Sequence, residues 1–276
     1  MKKTVSLLIV LLLSFFSLTA CGTSDNENAA SDKTDLVVFA AASMTESLEQ
    51  IAALYKKDHP DINILFNFDS SGTLKTQIEE GADCDIFISA APKQMNQLDA
   101  SKDESSGNED GLDFIISDSR VDLVENKVVL VVSDENSGLA TFDTMAEALQ
   151  GEAIVLAMGN EDVPVGQYTK NILDYYGLNE SDLASKGLVT YCSNVKEVTT
   201  QVSEASVDAG IIYATDAFSA GLKPADTASE EMCGKVVYPA AVLKGSANPE
   251  AARAFLSYLS GDEAADIFKT IGFSTL

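Results

Sequence analysis

VVFAAASMTESLEQIA (residues 37–52) and FNFDSSGTLKTQIEEG (residues 66–81) each pass from an apolar stretch through a serine into a segment of helical period. In both, the serine (Ser43 and Ser71) sits where a helix opens, beside backbone N–H groups that have no intrahelical acceptor and at the positive end of the macrodipole. A small oxyanion is the natural occupant of such an end. The strand-then-helix order recurs: LVVFAA, INILFNF, DIFISA, KVVLVVS, AIVLAMG, AGIIYA and KVVYPAAVL are rich in Val, Ile and Phe, with helical periodicity between several of them. That alternation predicts an α/β protein with mostly parallel sheets.

The helix boundaries carry their own signals. Ser43 followed by Glu46 predicts a capping box, after which Leu48, Ile51, Leu54 and Tyr55 share one face. Pro164 suits the first turn of a helix running to Tyr176, with Gly177 as its stop. Asn194 with Glu197 allows a second box, and Asn248 with Pro249 starts a C-terminal helix. The polar, acidic stretch SKDESSGNEDG (residues 101–111) predicts an exposed loop.

Lys2 and Lys3 precede an apolar run that ends in Leu18, Thr19, Ala20 and Cys21, the pattern of a bacterial lipoprotein signal peptide. Residues 1–20 are therefore expected to be removed, Cys21 to carry lipid, and the mature chain to be anchored outside the cytoplasmic membrane. The small polar residues that follow predict a flexible tether over residues 21–34, with folding from Asp35. Roughly 240 residues remain, enough for two lobes.

The formal net charge is −25, and loss of Lys2 and Lys3 makes it −27. Nucleic acid and anionic lipid are excluded as partners, because both demand a surplus of Lys and Arg. An anion site here must work through local donors against the field of the whole surface. Cys84, Cys192 and Cys233 have no CxxC spacing, and His59 is the only histidine, so a zinc site is not expected. In an oxidising compartment Cys192 and Cys233 can pair, with Cys84 a buried thiol; the sequence leaves this open.

Catalytic patterns are weak. His59 lies in the charged, Pro-terminated KKDHPD, a poor setting for a Ser-His-Asp triad. Ser193 to Lys196 satisfies S-x-x-K, but the only SDN (residues 24–26) falls in the tether and no KTG accompanies it. Phosphate-loop patterns are missing. Among 43 acidic residues, carboxylate pairs arise by chance and none points to a glycosidase.

VFAAASMTESL, SSGTLKTQIEEGADCDIFISA, NKVVLVV, VPVGQYTKNIL, AGIIYATDA and YPAAVLKGSANPEAARAFLSYLSGDEAADIFKTIGF occur in an order that resembles the molybdate-binding proteins, periplasmic or lipid-anchored, of ABC importers. The resemblance runs from about Leu36 to the C-terminus. It implies a type II periplasmic binding protein fold: two α/β lobes joined by two crossing strands, with molybdate or tungstate held in the cleft between them. On that pattern residues 35–127 plus 238–276 form lobe 1 and residues 128–237 form lobe 2, with NKVVLVV and KVVYPAAVL at the crossing. It also implies the contacts. Ser43 and Ser71 match serines giving hydroxyl and main-chain N–H, Val165 and Val195 match main-chain donors, and Tyr213 matches a phenol donor. Val165 stands where alanine is commoner, and Cys84 where proline or alanine is expected. The partners implied are the oxyanion, a membrane permease with its cytoplasmic ATPase, and the membrane through Cys21. A monomer without cofactor, cation ligands or catalytic activity is expected. Two other readings stay open: a binding protein for sulfate, phosphate or a small carboxylate, which a charged cleft residue would favour, and a secreted hydrolase.

Overall fold

The computed structural model describes residues 33–133 and 138–276. The leader expected over residues 1–20, the lipid site Cys21 and nearly all of the tether lie outside the described residues. Among those described, the first sheet is built from β1 (Thr34–Ala41), β2 (Ile62–Asp69), β3 (Ile86–Ile88), β4 (Val121–Asn126), β10 (Val236–Val242) and β11 (Ser274–Thr275). The second is built from β5 (Val128–Val132), β6 (Leu156–Gly159), β7 (Val189–Cys192), β8 (Ala209–Tyr213) and β9 (Asp226–Thr227). Strand order is β11-β4-β10-β3-β1-β2 in the first and β7-β6-β8-β5-β9 in the second.

Both sheets are mixed, which corrects the expectation of mostly parallel pairing. β1 runs parallel to β2 and β3, and β6 parallel to β7 and β8. By contrast β10 is antiparallel to β3 and β4, β11 to β4, and β5 to β8 and β9. The cause is the passage between sheets. Lys127 alone separates β4 from β5, so the chain leaves the first sheet for the second without an intervening helix, and β10 brings it back. β10 joins the first sheet from Val236, two residues before the lobe edge expected at 238.

The helices are α1 (Thr45–Asp58), α2 (Ser71–Glu79), α3 (Pro92–Gln97), α4 (Phe142–Gln150), α5 (Pro164–Tyr175), α6 (Glu180–Ser185), α7 (Val195–Ser203), α8 (Ala214–Ala220), α9 (Glu230–Cys233), α10 (Pro249–Leu259) and α11 (Asp262–Ile271). β1 and β3 show the period-2 logic of a sheet covered on both faces. Val38, Ile86 and Ile88 join Leu48, Ile51 and Tyr55 of α1 in one apolar cluster, while Phe39 and Phe87 join Leu74 and Ile78 of α2 in another. Leu48 and Ile51 are fully buried, each stabilising by roughly 1.5–3 kcal/mol; Leu54, expected on the same face, is only half-buried. α5 starts at Pro164 as expected and reaches its C-cap at Tyr176, with Gly177 next at φ +68°. Asn194 accepts from the Glu197 amide at 3.0 Å and caps α7, but the reciprocal half of the expected box is not formed, because the Glu197 carboxylate accepts from the Ser193 amide instead.

Cys84, Cys192 and Cys233 are buried free thiols, so the Cys192–Cys233 disulfide does not form. Cys192 ends the edge strand β7, while Cys233 closes α9 with its thiol turned to the Ser229 and Gly234 carbonyls.

Candidate functional site

The five residues singled out in the sequence come together. Ser43, Ser71, Val165, Val195 and Tyr213 line one small cavity, together with Ala41, Ala42, Asp69, Ser70, Ala90, Val163 and Pro164. It lies where the ends of β1, β2 and β8 meet the N-termini of α2, α5 and α7.

Neither serine serves as a helix cap. A 3-10 turn over Ala42–Met44 leads into α1, whose N-cap is Met44 without a side-chain bond. The capping box expected for Ser43 and Glu46 is therefore not formed. Ser43 Oγ instead meets Tyr238 Oη at 2.9 Å, and Glu46 binds Lys196. At α2 the cap is Ser70, whose Oγ accepts from the Thr73 amide at 3.1 Å. Ser71 stands one residue further in, its Oγ accepting from the Ala90 amide at 2.9 Å. Each hydroxyl is thus held from behind by a fixed partner, with its residue on the cavity wall.

Val165 and Val195 enter through their backbones. Pro164 opens α5 and has no N–H, so the Val165 amide is the first donor of that helix. Val195 opens α7 behind its Asn194 cap. First-turn amides have no intrahelical acceptor, and three helix ends aimed at one cavity add their partial positive charges. Tyr213 closes β8 and lies 1 % exposed. Its phenol oxygen is buried and has no hydrogen-bond partner among the described residues. Burial, reinforced by the neighbouring Tyr238, Tyr168 and Asp216, holds the phenol well above its ordinary pKa, so it is a neutral donor.

Sequence reasoning did not single out Asp69, the ionisable residue on the cavity wall. Its Oδ1 accepts from the Ser70 amide at 2.7 Å and from Asn194 Nδ2 at 3.4 Å, tying the end of β2 to the cap of α7. Two more contacts cross between the sheets' ends. Lys196 Nζ binds both Glu46 oxygens, at 2.7 and 3.0 Å, and Gly72 of α2 packs against the backbone of Asp162. Among the described residues, no cluster of His, Cys, Asp and Glu is arranged to hold a metal ion. His59 stacks on Tyr55 at the exit of α1, and the Ser193 hydroxyl bonds Glu197 rather than Lys196.

Two α/β sheets that meet around a small cavity lined by hydroxyls and helix N-terminal amides define a two-lobed solute-binding protein of the type II fold. The chain belongs to the bacterial extracellular solute-binding protein family, whose model matches residues 36–274. This is a family of binding proteins and not of enzymes. The chain is 34% identical to the Bacillus subtilis (strain 168) protein named "Putative ABC transporter substrate-binding lipoprotein YvgL", over 99% of each chain. It is 33% identical to the molybdate-binding protein ModA of Escherichia coli (strain K12), over 95% of this chain and 97% of that one. The periplasmic molybdate-binding protein of Azotobacter vinelandii superposes with a TM-score of 0.73 over 87% of this chain and 99% of that one, at 24% identity, a likeness of fold.

Proposed function

We propose that this protein captures molybdate, and tungstate by the same contacts, outside the cytoplasmic membrane and delivers it to an ABC permease driven by a cytoplasmic ATPase. The observation that carries the reading is the Tyr213 phenol. It is a buried O–H without an acceptor, in a cavity wall it shares with Ser43, Ser71, Val165 and Val195. Buried donors are paired in native proteins, and an oxyanion supplies the missing acceptor. The relatives named for molybdate support the choice of ligand.

The donors are two serine hydroxyls with their amides, the Val165 and Val195 amides and the Tyr213 phenol. About seven charge-assisted bonds at roughly 1.5–3 kcal/mol each give ~10–20 kcal/mol gross. After ordering and closure, about −8 to −12 kcal/mol remains, a micromolar to nanomolar Kd. Selectivity over sulfate rests on cavity size, since both are tetrahedral dianions. Closure of the lobes, residues 35–127 plus 238–276 against 128–237, tells the permease that the protein is loaded. Lipid on Cys21 keeps the monomer near that permease.

Asp69 favours a second reading. A carboxylate on the wall accepts the proton of monohydrogen phosphate, which a cavity of donors alone would reject. Isothermal titration of the full chain, stripped of bound anion, with molybdate, tungstate, sulfate and phosphate in turn separates the two. Tight one-to-one binding of molybdate and tungstate without response to sulfate or phosphate is the expected result. Tight phosphate binding would transfer the site to the Asp69 reading, and silence from all four would end the oxyanion assignment.

A further inference from the structure

We propose that Tyr238 is a positioning residue of this site, one that forces Ser43 to donate its hydroxyl proton to the bound oxyanion. The inference rests on the oxyanion reading above and adds a residue that does not line the cavity. It follows from the direction of four hydrogen bonds. The Lys127 amide, which can only donate, meets one side-chain atom of Asn126 at 2.8 Å and thereby identifies it as the carbonyl oxygen Oδ1. The other atom is then the amide nitrogen, which donates to Thr215 Oγ1 at 2.9 Å and to Tyr238 Oη at 3.1 Å. Tyr238 is fully buried, and among the described residues its hydroxyl bonds only Ser43 and Asn126. With one lone pair taken by Asn126, its own proton has Ser43 Oγ, at 2.9 Å, as its acceptor. Were Ser43 the donor instead, the phenol would receive two donors and its proton would be stranded in the core, at the full desolvation cost of an unmade bond. Ser43 Oγ therefore accepts from behind and turns its proton into the cavity.

The backbone is shaped for this arrangement. β10 is a central strand, where proline is rarely tolerated because it offers no ladder donor, yet Pro239 follows Tyr238. The pairing of β10 with β4 slips between Tyr238 and Pro239, where β4 carries one extra residue, Leu123, opposite them. Thr215, at the far end of the network, lies in α8, two residues beyond Tyr213 and on the second sheet's side. Asn126 thus places one amide proton on each lobe, and links the orientation of Ser43 to the position of the helix that follows Tyr213.

The test is a double-mutant cycle on the full chain, titrated with molybdate, tungstate and sulfate so that whichever oxyanion the wild type takes serves as probe. Tyr238→Phe is expected to weaken binding on the order of 5- to 30-fold, the loss of an enforced donor to a charge. In a Ser43→Ala background the same change is expected to shift Kd less than twofold. Losses that multiply independently in the two backgrounds would overturn the proposal, since a merely structural Tyr238 would act with or without Ser43. Neutron diffraction of the deuterated wild type reads the bond directly and depends neither on ligand nor on the variant's folding. A Tyr238 deuteron between Oη and Ser43 Oγ sustains the proposal, and one directed elsewhere removes it. If the wild type binds none of the three anions the oxyanion reading fails, while the deuteron position still decides the direction of the bond.

Discussion

At the scale of single residues, two adjacent serines divide two tasks. Ser70 caps α2, and Ser71 presents a hydroxyl at the cavity while its oxygen satisfies the Ala90 amide. Their alanine variants should therefore separate. Ser70→Ala is expected to lower stability by about 1 kcal/mol, the ordinary loss of a cap, with a smaller effect on molybdate affinity. Ser71→Ala is expected to weaken binding by about 1–3 kcal/mol, because it removes a donor to a buried charge. Chemical denaturation of the apo protein beside calorimetric titration checks both; equal effects on affinity would mean that Ser71 has no special role. The donors also carry a prediction about pH. Serine hydroxyls and amides do not titrate near neutrality, and burial has moved the Tyr213 phenol further upward still. Affinity measured by titration should be nearly flat between about pH 6 and 8, and a steep slope across that range would contradict recognition by these neutral donors.

At the scale of elements, closure depends on how nearly α2 can approach the loop before α5. A Cβ built on Gly72 would stand 2.2 Å from the Asp162 carbonyl oxygen, a distance no real side chain tolerates. Gly72→Ala is thus expected to hold the two lobes apart and weaken molybdate binding at least tenfold. The open apo form should unfold no earlier than wild type, since alanine is the better helix former by up to about 1 kcal/mol. A variant that binds normally would show that α2 and Asp162 do not meet in the bound state. Much of this geometry is legible in the chain. The strand runs, the Pro164 start and the Asn194 cap follow from local periodicity and capping chemistry, and the five cavity residues follow from motif order. What local patterns cannot carry is partner choice across the chain. Glu46 satisfies the spacing of a capping box but finds Lys196, 150 positions away, and that ion pair wins over the local bond. Mixed pairing escaped for the same reason, since the direction of β5 and β10 is set by where the chain crosses between sheets. The YPAA of β10 did hold a readable signal, a proline where a buried strand should continue, and it marks the slip in pairing with β4 beside Tyr238.

At the scale of the whole molecule, one lysine spans the cleft. Lys196, on α7, binds Glu46 of α1 and lies 3.5 Å from Asp216 of α8, whose carboxylate is fully buried and accepts no hydrogen bond among the described residues. The Glu46 pair is about one-third exposed, so its contribution to closure is modest and screened by salt. Lys196→Met should weaken molybdate binding about two- to fivefold at low ionic strength, and less in ~0.5 M salt. Asp216 behaves differently. Burial pushes its pKa up to about 7, against the opposing pull of Lys196, with Glu46 adding a smaller push upward. The folded chain thus keeps a proton that the unfolded chain releases near pH 4, so this group lowers stability progressively as pH rises from about 4 to 7. Asp216→Asn keeps the shape and removes the charge. It is expected to be more stable than wild type at pH 8, with the advantage shrinking toward pH 5, where the wild-type carboxyl is itself neutral. Thermal unfolding of both proteins across that range, with and without molybdate, measures the difference. A variant whose relative stability falls as pH rises would show that Lys196 repays the burial of Asp216 in full. The predicted rise would instead mark Asp216 as a charge the fold holds at a cost, leaving Lys196 free to serve the cross-lobe bond to Glu46.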